Sequence, residues 1–218
     1  MSSSAAWRLY VIVDRATIGN RDLTDVTAAA IRGGADVIQL RDKAASARQL
    51  TEEAARLLPL TRQRGIPLIV NDRADVAHTV GADGVHVGQD DLSIEAARRI
   101  LGERAIIGRS THSLEQALAA VAAGADYIGL GPIFATPTKP SYGSVGTALI
   151  RQVALRVRIP VVCIGGIETG NMAQVLEAGA TCVAVVRAIC SAADPESAAR
   201  TLKQMLVQSS RSIPTPSL

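Results

Sequence analysis

Hydrophobic residues form eight short, nearly continuous runs along the chain. They cover residues 9–14, 36–41, 67–72, 83–87, 105–110, 126–131, 160–165 and 182–186. Runs with little polar alternation are typical of parallel strands that are covered on both faces. The segments between them carry hydrophobic residues at helical spacing, as Leu50, Ala54 and Leu57 do after the second run. The pattern therefore predicts eight strands that alternate with helices.

A short motif marks the entry to every second strand. It reads Gly34-Ala35-Asp36, Gly81-Ala82-Asp83, Gly124-Ala125-Asp126 and Gly179-Ala180-Thr181. We expect each glycine to end a helix in the left-handed conformation, after which a short loop leads into a buried strand. The motifs start 47, 43 and 55 residues apart. Because one strand–helix unit needs about half of such an interval, each interval holds two units.

Eight alternating units imply a single α/β domain. Helix starts are predicted at capping boxes in residues 46–49 and 113–116, at Ser93 and at Asp194-Pro195. The number and order of the units favour a (β/α)8 TIM barrel, with a doubly wound open sheet as the alternative. We predict one compact barrel over residues 7–208, with flexible Ser/Pro-rich tails at residues 1–6 and 209–218.

Composition narrows the class of protein. Of the 218 residues, 48% are hydrophobic and 20% are charged, which excludes a disordered chain. Aromatic residues, at 2%, are too few for a single-strand nucleic-acid platform, and we expect small Ala, Val and Ile side chains to fill the barrel. The net charge of +3 arises from interspersed basic and acidic residues. This indicates a solvated surface with no nucleic-acid partner.

The sequence also indicates a location. It contains no run of 18 apolar residues and its start, MSSSAAWR, lacks the apolar core of a signal peptide, so we expect no membrane partner. Cys163, Cys182 and Cys190 lack metal-ligand spacing and are expected to be buried free thiols. These features predict a cytoplasmic protein. They leave the oligomeric state open, a homo-oligomer included.

Polar residues follow the predicted strands at the end where barrels build their active sites. Gln39, Arg41 and Lys43 alternate at the end of the second strand and project to one side. Two cations at a barrel mouth are costly unless an anion neutralises them, which predicts a small phosphorylated substrate. The alternative is that they pair with Asp42 or with other neighbouring acids.

Two carboxylates follow the third and fourth strands. Asp72 and Asp91 stand beside basic residues, which suggests a Mg²⁺ site completed by water and phosphate. The alternative is that each merely caps a helix. His86 and His112 lie near strand ends, but no Cys or Asp partner marks a nucleophilic triad.

The last two strands suggest a second anion site. Gly165 and Gly166 end the seventh strand, and Val186 and Arg187 leave the eighth. In many barrels this position holds a phosphate on backbone N–H groups and a short helix N-terminus.

Four segments together resemble the thiamine-phosphate synthase family. They are Gln39-Leu40-Arg41-Asp42-Lys43, Asn71-Asp72-Arg73-Ala74-Asp75, residues 84–91 and residues 129–139, within a similarity that extends over residues 9–206. The resemblance implies a Mg²⁺-dependent transferase. Such an enzyme couples 4-amino-2-methyl-5-hydroxymethylpyrimidine diphosphate with 4-methyl-5-(2-phosphooxyethyl)thiazole. The coupling proceeds by dissociative loss of diphosphate and gives thiamine phosphate.

The resemblance also implies roles for individual residues. The pyrimidine diphosphate would be bound by Gln39, Arg41, Lys43, Asn71, Ser110 and Lys139, of which Arg41, Lys43 and Lys139 stabilise the departing diphosphate. The Mg²⁺ ligands would be Asp72 and Asp91. The thiazole phosphate would be bound by Thr136, Pro137, Thr138, Gly166, Val186 and Arg187. Arg187 departs from the family, which usually has a small hydroxyl residue there; binding through the backbone would tolerate this change.

Three other functions remain open from the sequence. A thiazole tautomerase shares the barrel and the thiazole-phosphate site but lacks the diphosphate-binding set. An isomerase of amino-acid biosynthesis would not need paired Mg²⁺ carboxylates. A catalytically silent ligand-binding barrel would keep costly cations without using them. The synthase is favoured over the tautomerase by the joint presence of Arg41, Lys43, Asn71, Asp72, Asp91 and Lys139.

Overall fold

The strands of this protein close into a parallel barrel. The computed structural model describes residues 7–136 and 143–211. The strands are β1 (Leu9–Asp14), β2 (Val37–Arg41), β3 (Leu68–Asn71), β4 (Gly84–Val87), β5 (Ile106–Thr111), β6 (Tyr127–Leu130), β7 (Val161–Ile164) and β8 (Cys182–Val185). Each strand pairs in parallel with the next, and β8 pairs with β1. The predicted (β/α)8 barrel is confirmed, and the open sheet is excluded.

Helices lie between the strands and cover the outside of the barrel. Those in the described residues are α1 (Arg15–Ile18), α2 (Leu23–Arg32), α3 (Ala47–Gln63), α4 (Ala74–Val80), α5 (Ile94–Leu101), α6 (Leu114–Ala122), α7 (Thr147–Arg156), α8 (Met172–Glu177), α9 (Arg187–Cys190) and α10 (Pro195–Arg211). Helix α10 continues to Arg211, so it includes residues 209–211, which the sequence predicts to be part of the tail. Residues 1–6 and 212–218 of the predicted tails lie outside the described residues. Within the described part of the chain, no helix is both long and apolar enough to cross a membrane.

The helix starts follow the sequence, with one difference. The capping box at Ser46 is complete, since its Oγ accepts from Gln49 N and Gln49 Oε1 accepts from Ser46 N. The expected caps at Ser93 and Asp194 are also present. At Ser113 only half of the box forms. Gln116 N donates to Ser113 Oγ at 3.1 Å, but Gln116 Oε1 accepts from His112 N, at 2.7 Å.

The repeated motif lies at the amino-terminal end of the barrel, where its aspartates bind the starts of neighbouring strands. Gly34, Gly81, Gly124 and Gly179 all have positive φ, between 69° and 103°, as predicted. Asp36 Oδ2 accepts from the N–H groups of Arg8 and Leu9 at 2.8 Å each. Asp83 and Asp126 accept in the same way from the starts of β3 and β5, at 2.8 Å each. The motif thus ends a helix and also satisfies strand N–H groups that the barrel leaves unpaired.

The barrel interior differs from the expectation that small side chains fill it. Three of the five aromatic residues, Trp7, Tyr10 and Tyr127, lie inside the barrel, and Trp7 contacts both tyrosine rings edge-on. The space for Tyr127 comes from Gly108, where an added Cβ would lie 2.1 Å from the ring. The three cysteines are buried free thiols, as predicted. The few aromatic residues are therefore concentrated beneath the mouth of the barrel.

Candidate active site

A cavity of about 320 Å³ opens at the carboxyl ends of the strands. Eight of the predicted site residues line it: Gln39, Arg41, Asn71, Ser110, Thr136, Gly166, Val186 and Arg187. The lining does not include Lys43, Asp72 or Asp91. Their contacts with one another, described below, place them together at the rim, near the end of the strand that carries Arg41. Pro137, Thr138 and Lys139 lie outside the described residues. The structure therefore gathers residues from β2 to β8 around one space, as a barrel mouth does.

The two cations after β2 both have carboxylate partners. Arg41 forms an ion pair with Asp14, a residue that is 2% exposed. The β1–β2 register places these residues side by side, which explains the pairing. Lys43, on the exposed rim, forms an ion pair with Asp72. The pairing that the sequence left open is therefore present, with Asp14 and Asp72 as the partners. Asp42 instead accepts hydrogen bonds from its own loop.

Asp72 and Asp91 approach each other and do not cap helices. The N-cap of α4 is Arg73, and the N-cap of α5 is Ser93, so the capping alternative is wrong for both aspartates. Burial raises the pKa of the Asp72 carboxyl, the Lys43 ammonium lowers it and the nearby Asp91 carboxyl raises it, with a net upward shift. Two carboxylates that lie close together repel each other, and this repulsion is costly unless a cation neutralises it.

The donor chemistry of this pair fits a divalent cation. Asp91 Oδ2 accepts from Gly88 N at 2.8 Å, which orients the carboxylate at the rim. Among the described residues, no cluster of three or more His, Cys, Asp and Glu side chains is present. Two carboxylates leave most of a coordination shell to water and phosphate, which is the usual arrangement for Mg²⁺ and an unusual one for Zn²⁺. Asp72 and Asp91 are therefore the residues that could hold such an ion.

The opposite side of the cavity is built from closely packed backbone. Gly165 and Gly166 have φ of 104° and 63°. A Cβ on Gly166 would lie 2.7 Å from Ala135 O, so only glycine fits between this turn and the loop after β6. Asn171 Nδ2 donates to Gly166 O at 2.7 Å and holds the turn in place. Arg187 begins α9 at the same side and is exposed.

Sequence reasoning missed a chain of polar side chains beneath the cavity. Gln39 Nε2 donates to Tyr10 Oη at 2.7 Å, and Tyr10 Oη lies 2.8 Å from Tyr127 Oη. Tyr127 Oη is 2.9 Å from His86 Nδ1, and His86 Nε2 is 2.9 Å from Ser110 Oγ. Burial raises the pKa of both tyrosines above the ordinary value, so both remain neutral donors. This series of hydrogen bonds fixes Gln39 and Ser110 relative to each other. Its only signal in the sequence is the occurrence of polar residues inside apolar strands.

The sequence of this chain is similar to those of known proteins. A family model described as thiamine monophosphate synthase matches residues 9–189. The chain belongs to this family. A thiamine-phosphate synthase from Roseiflexus sp. (strain RS-1) is 51% identical over 199 residues, which cover 91% of this chain and 84% of that protein. The thiamine-phosphate synthase from Chloroflexus aurantiacus (strain ATCC 29366 / DSM 635 / J-10-fl) is 51% identical over 201 residues, covering 92% and 93%.

Solved structures agree with the thiamine monophosphate synthase assignment. Thiamine phosphate pyrophosphorylase from Pyrococcus furiosus superposes with a TM-score of 0.86 at 39% identity, covering 93% of this chain and 96% of that one. A 3-hexulose-6-phosphate synthase, at 19% identity and a TM-score of 0.64, shares the fold alone. As a member of the thiamine monophosphate synthase family, the chain is an enzyme of the transferase class. The predicted resemblance is confirmed at the level of the family.

Proposed function

We propose that this enzyme joins hydroxymethylpyrimidine diphosphate to the thiazole phosphate and releases thiamine phosphate and diphosphate, with Mg²⁺ as its cofactor. One observation carries the proposal: the cavity has two chemically different anion-binding sides. Arg41, Asn71 and Ser110 line one side, and the Lys43–Asp72–Asp91 cluster lies at its rim. A tight glycine turn after β7 and the start of α9 form the other. Two phosphorylated substrates of different charge match these two sides.

The side after β2 to β4 suits a diphosphate. Arg41 presents a planar guanidinium to the cavity, and Asn71 and Ser110 add uncharged polar groups. Asp72 and Asp91 would hold Mg²⁺, and Lys43 would then be available to a diphosphate oxygen. Bound there, Mg²⁺ would add positive charge that stabilises diphosphate as a leaving group. Lys139 is assigned to the same group by its motif alone.

The side after β7 and β8 suits a monophosphate. Gly165 and Gly166 bring backbone close to the ligand, and the first N–H groups of α9 lack intrahelical partners. Arg187 begins this helix and adds a cation that a small hydroxyl residue would not provide. Thr136 lines the same part of the cavity. The motif places Pro137 and Thr138 beside it.

The proposed chemistry needs no protein nucleophile. The bond between the pyrimidine methylene carbon and the diphosphate oxygen breaks, and the electron pair leaves with diphosphate. The electron-rich pyrimidine carries the resulting cation, and the thiazole nitrogen then donates its lone pair to that methylene. Burial raises the pKa of Cys163 to about 12 and of Cys190 to about 11, so neither supplies a thiolate at neutral pH. Positioning and electrostatic stabilisation therefore carry the reaction.

The alternative is a tautomerase that acts on the thiazole phosphate alone. Such an enzyme has no use for a pair of carboxylates beside an ammonium group at the rim of the cavity. The Lys43–Asp72–Asp91 cluster therefore favours the coupling reaction.

A coupling assay tests the proposal directly. We expect the purified protein to form thiamine phosphate, detected by liquid chromatography, only when both substrates and Mg²⁺ are supplied. Asp91→Asn should lower the rate about 100-fold, because a neutral amide is a poor Mg²⁺ ligand and the leaving group loses its stabilising charge. The matched control is Asp90→Asn, an exposed neighbour in the same loop, which should retain the wild-type rate. Isomerisation of a thiazole phosphate without coupling would instead support the tautomerase.

A further inference from the structure

The β4–α5 loop, residues 88–93, is held by hydrogen bonds from the neighbouring strand β5. Arg109 Nη1 donates to Leu92 O at 3.0 Å, and Arg109 Nη2 donates to Gln89 O at 3.2 Å. Gln89 Nε2 donates back to Ser110 O at 2.5 Å. One guanidinium group thus bridges the two carbonyls on either side of Asp91.

The direction of Arg109 keeps it away from the substrates. Successive residues of a strand point to opposite faces. Gly108 faces the Tyr127 ring inside the barrel, and Ser110 lines the cavity. Arg109 lies between them and therefore points outward, beside Val87 at the start of the loop. Any effect of Arg109 on the reaction must pass through the loop.

The loop sets the position of the Asp91 carboxylate. Asp91 Oδ2 accepts from Gly88 N at 2.8 Å, and an added Cβ at Gly88 would lie 2.8 Å from the same oxygen. The carboxylate therefore packs against the first residue of its own loop. A shift of the loop at Gln89 or Leu92 moves Asp91 relative to Asp72, which belongs to a different strand end.

We propose that Arg109 is a positioning residue for the diphosphate side of the site, acting through Asp91. This inference rests on the proposed function for the identity of the ligand. A guanidinium group is planar and always charged, and its separated N–H groups reach two carbonyl oxygens at once. An ammonium group at the end of a lysine reaches one of them.

Three variants separate positioning from general stability. Arg109→Met keeps the apolar stem and removes both donors, and Arg109→Lys keeps the charge and one contact. The matched control is Arg62→Met, because Arg62 donates to a single carbonyl, that of Gly81, at 3.1 Å, and is remote from the cavity. The first measurement is calorimetric titration of each full-length variant with Mn²⁺ in the presence of inorganic diphosphate. The second is the KM for each substrate.

We expect Arg109→Met to weaken Mn²⁺–diphosphate binding about tenfold and to raise the KM of the pyrimidine diphosphate to a similar extent. The KM of the thiazole phosphate should stay unchanged, and Arg109→Lys should lie between Arg109→Met and the wild type. Arg62→Met should bind as the wild type does, because the hydrogen bond it loses lies outside the β4–α5 loop.

Three results would overturn the inference. The first is unchanged Mn²⁺–diphosphate affinity in Arg109→Met, and the second is a wild type that binds no Mn²⁺–diphosphate. The third is an equal rise in the KM of both substrates, which indicates general disturbance of the mouth. A wild type that binds Mn²⁺–diphosphate but forms no thiamine phosphate would remove the proposed function, while the binding comparison would still decide the role of Arg109.

Discussion

Asp72 combines a place in the proposed metal site with an uncommon backbone conformation. Its φ is 62°, in the left-handed region that glycine, asparagine and aspartate tolerate best. Its carboxylate also meets Lys43 and Asp91 at the rim. A substitution at this position therefore changes either the charge alone or both the charge and the backbone energy.

Two variants of Asp72 separate the effect of its charge from the effect of its backbone conformation. Asp72→Asn removes the charge and keeps a residue that accepts positive φ, so we expect about 100-fold slower coupling with little change in melting temperature. Asp72→Ala should lose the same activity and also destabilise the fold by about 1 kcal/mol, because alanine is strained there. Coupling rates and thermal unfolding of both variants provide the measurement. Equal melting temperatures would show that the backbone conformation is not strained for alanine.

The sequence predicts where some site residues lie, but it does not predict which side chains they contact. Arg41 and Asp72 stand out as charged residues that follow apolar strands, and the structure places both at the mouth. The partner of Arg41 depends on the β1–β2 register, which pairs it with Asp14 and is not visible in one sequence. The sequence shows no partner for His86. Its partners come from β5 and β6, so only the closed barrel brings them together.

Among the elements, the repeated Gly-Ala-Asp motif has a second function at the amino-terminal end of the barrel. Asp126 Oδ2 accepts from Ile107 N at 2.8 Å and from Arg98 Nη2 at 2.7 Å. It therefore joins the start of β5 to α5 and to its own strand. Active-site residues lie at the opposite ends of these strands.

Loss of this aspartate should cost stability and spare catalysis. We expect Asp126→Ala to destabilise the fold by about 1–3 kcal/mol, because the Ile107 N–H loses its acceptor. Asp126→Asn should recover much of the loss, since its amide oxygen still accepts. Urea unfolding measures the change, and Glu177→Ala, at an exposed helix position, is the control. A fall in turnover without loss of stability would contradict this division between the two barrel ends.

The elements themselves follow closely from the hydrophobic pattern. β1 has its predicted bounds, and the other strands differ from prediction by one residue at either end or at both. Periodicity and glycine positions carry this information because they act locally. The half-formed box at Ser113 and the aromatic interior were not predictable in this way. At Ser113 the N–H of the adjacent His112 takes the Gln116 side chain, and in the interior the space left by Gly108 admits the Tyr127 ring.

For the molecule as a whole, ion pairs between helices contribute stability that depends on pH. Glu196 of α10 pairs with Arg32 of α2, and hydrogen bonding to Arg32 lowers the pKa of its carboxyl. A carboxyl with a depressed folded pKa stabilises the protein fully above its unfolded pKa of about 4.3. That contribution is lost as the pH falls through the folded value.

The stability contribution of Glu196 should therefore depend on pH in a way that can be tested. At pH 7 we expect Glu196→Gln to melt at a lower temperature than the wild type, because the charged contacts to Arg32 and Arg200 are lost. Below about pH 4.3 the unfolded chain binds a proton at this carboxyl first, so the difference should begin to shrink there and should vanish once the pH falls below the lowered folded pKa. Melting temperatures of both proteins from pH 7 to pH 3 measure it. A difference that stays constant over this range would assign the effect of Glu196 to packing.

The pairing of β1 with β8 has a consequence for how the chain is made. Leu9 lies opposite Val183, so the first strand to leave the ribosome waits for the last before its second edge is covered. Until β8 is synthesised, β1 and β7 both present open edges, which are the usual sites of association between nascent chains. α10 then packs against α2. Completion of the barrel is therefore a late event, and chains truncated before residue 182 should depend on chaperones to stay unaggregated.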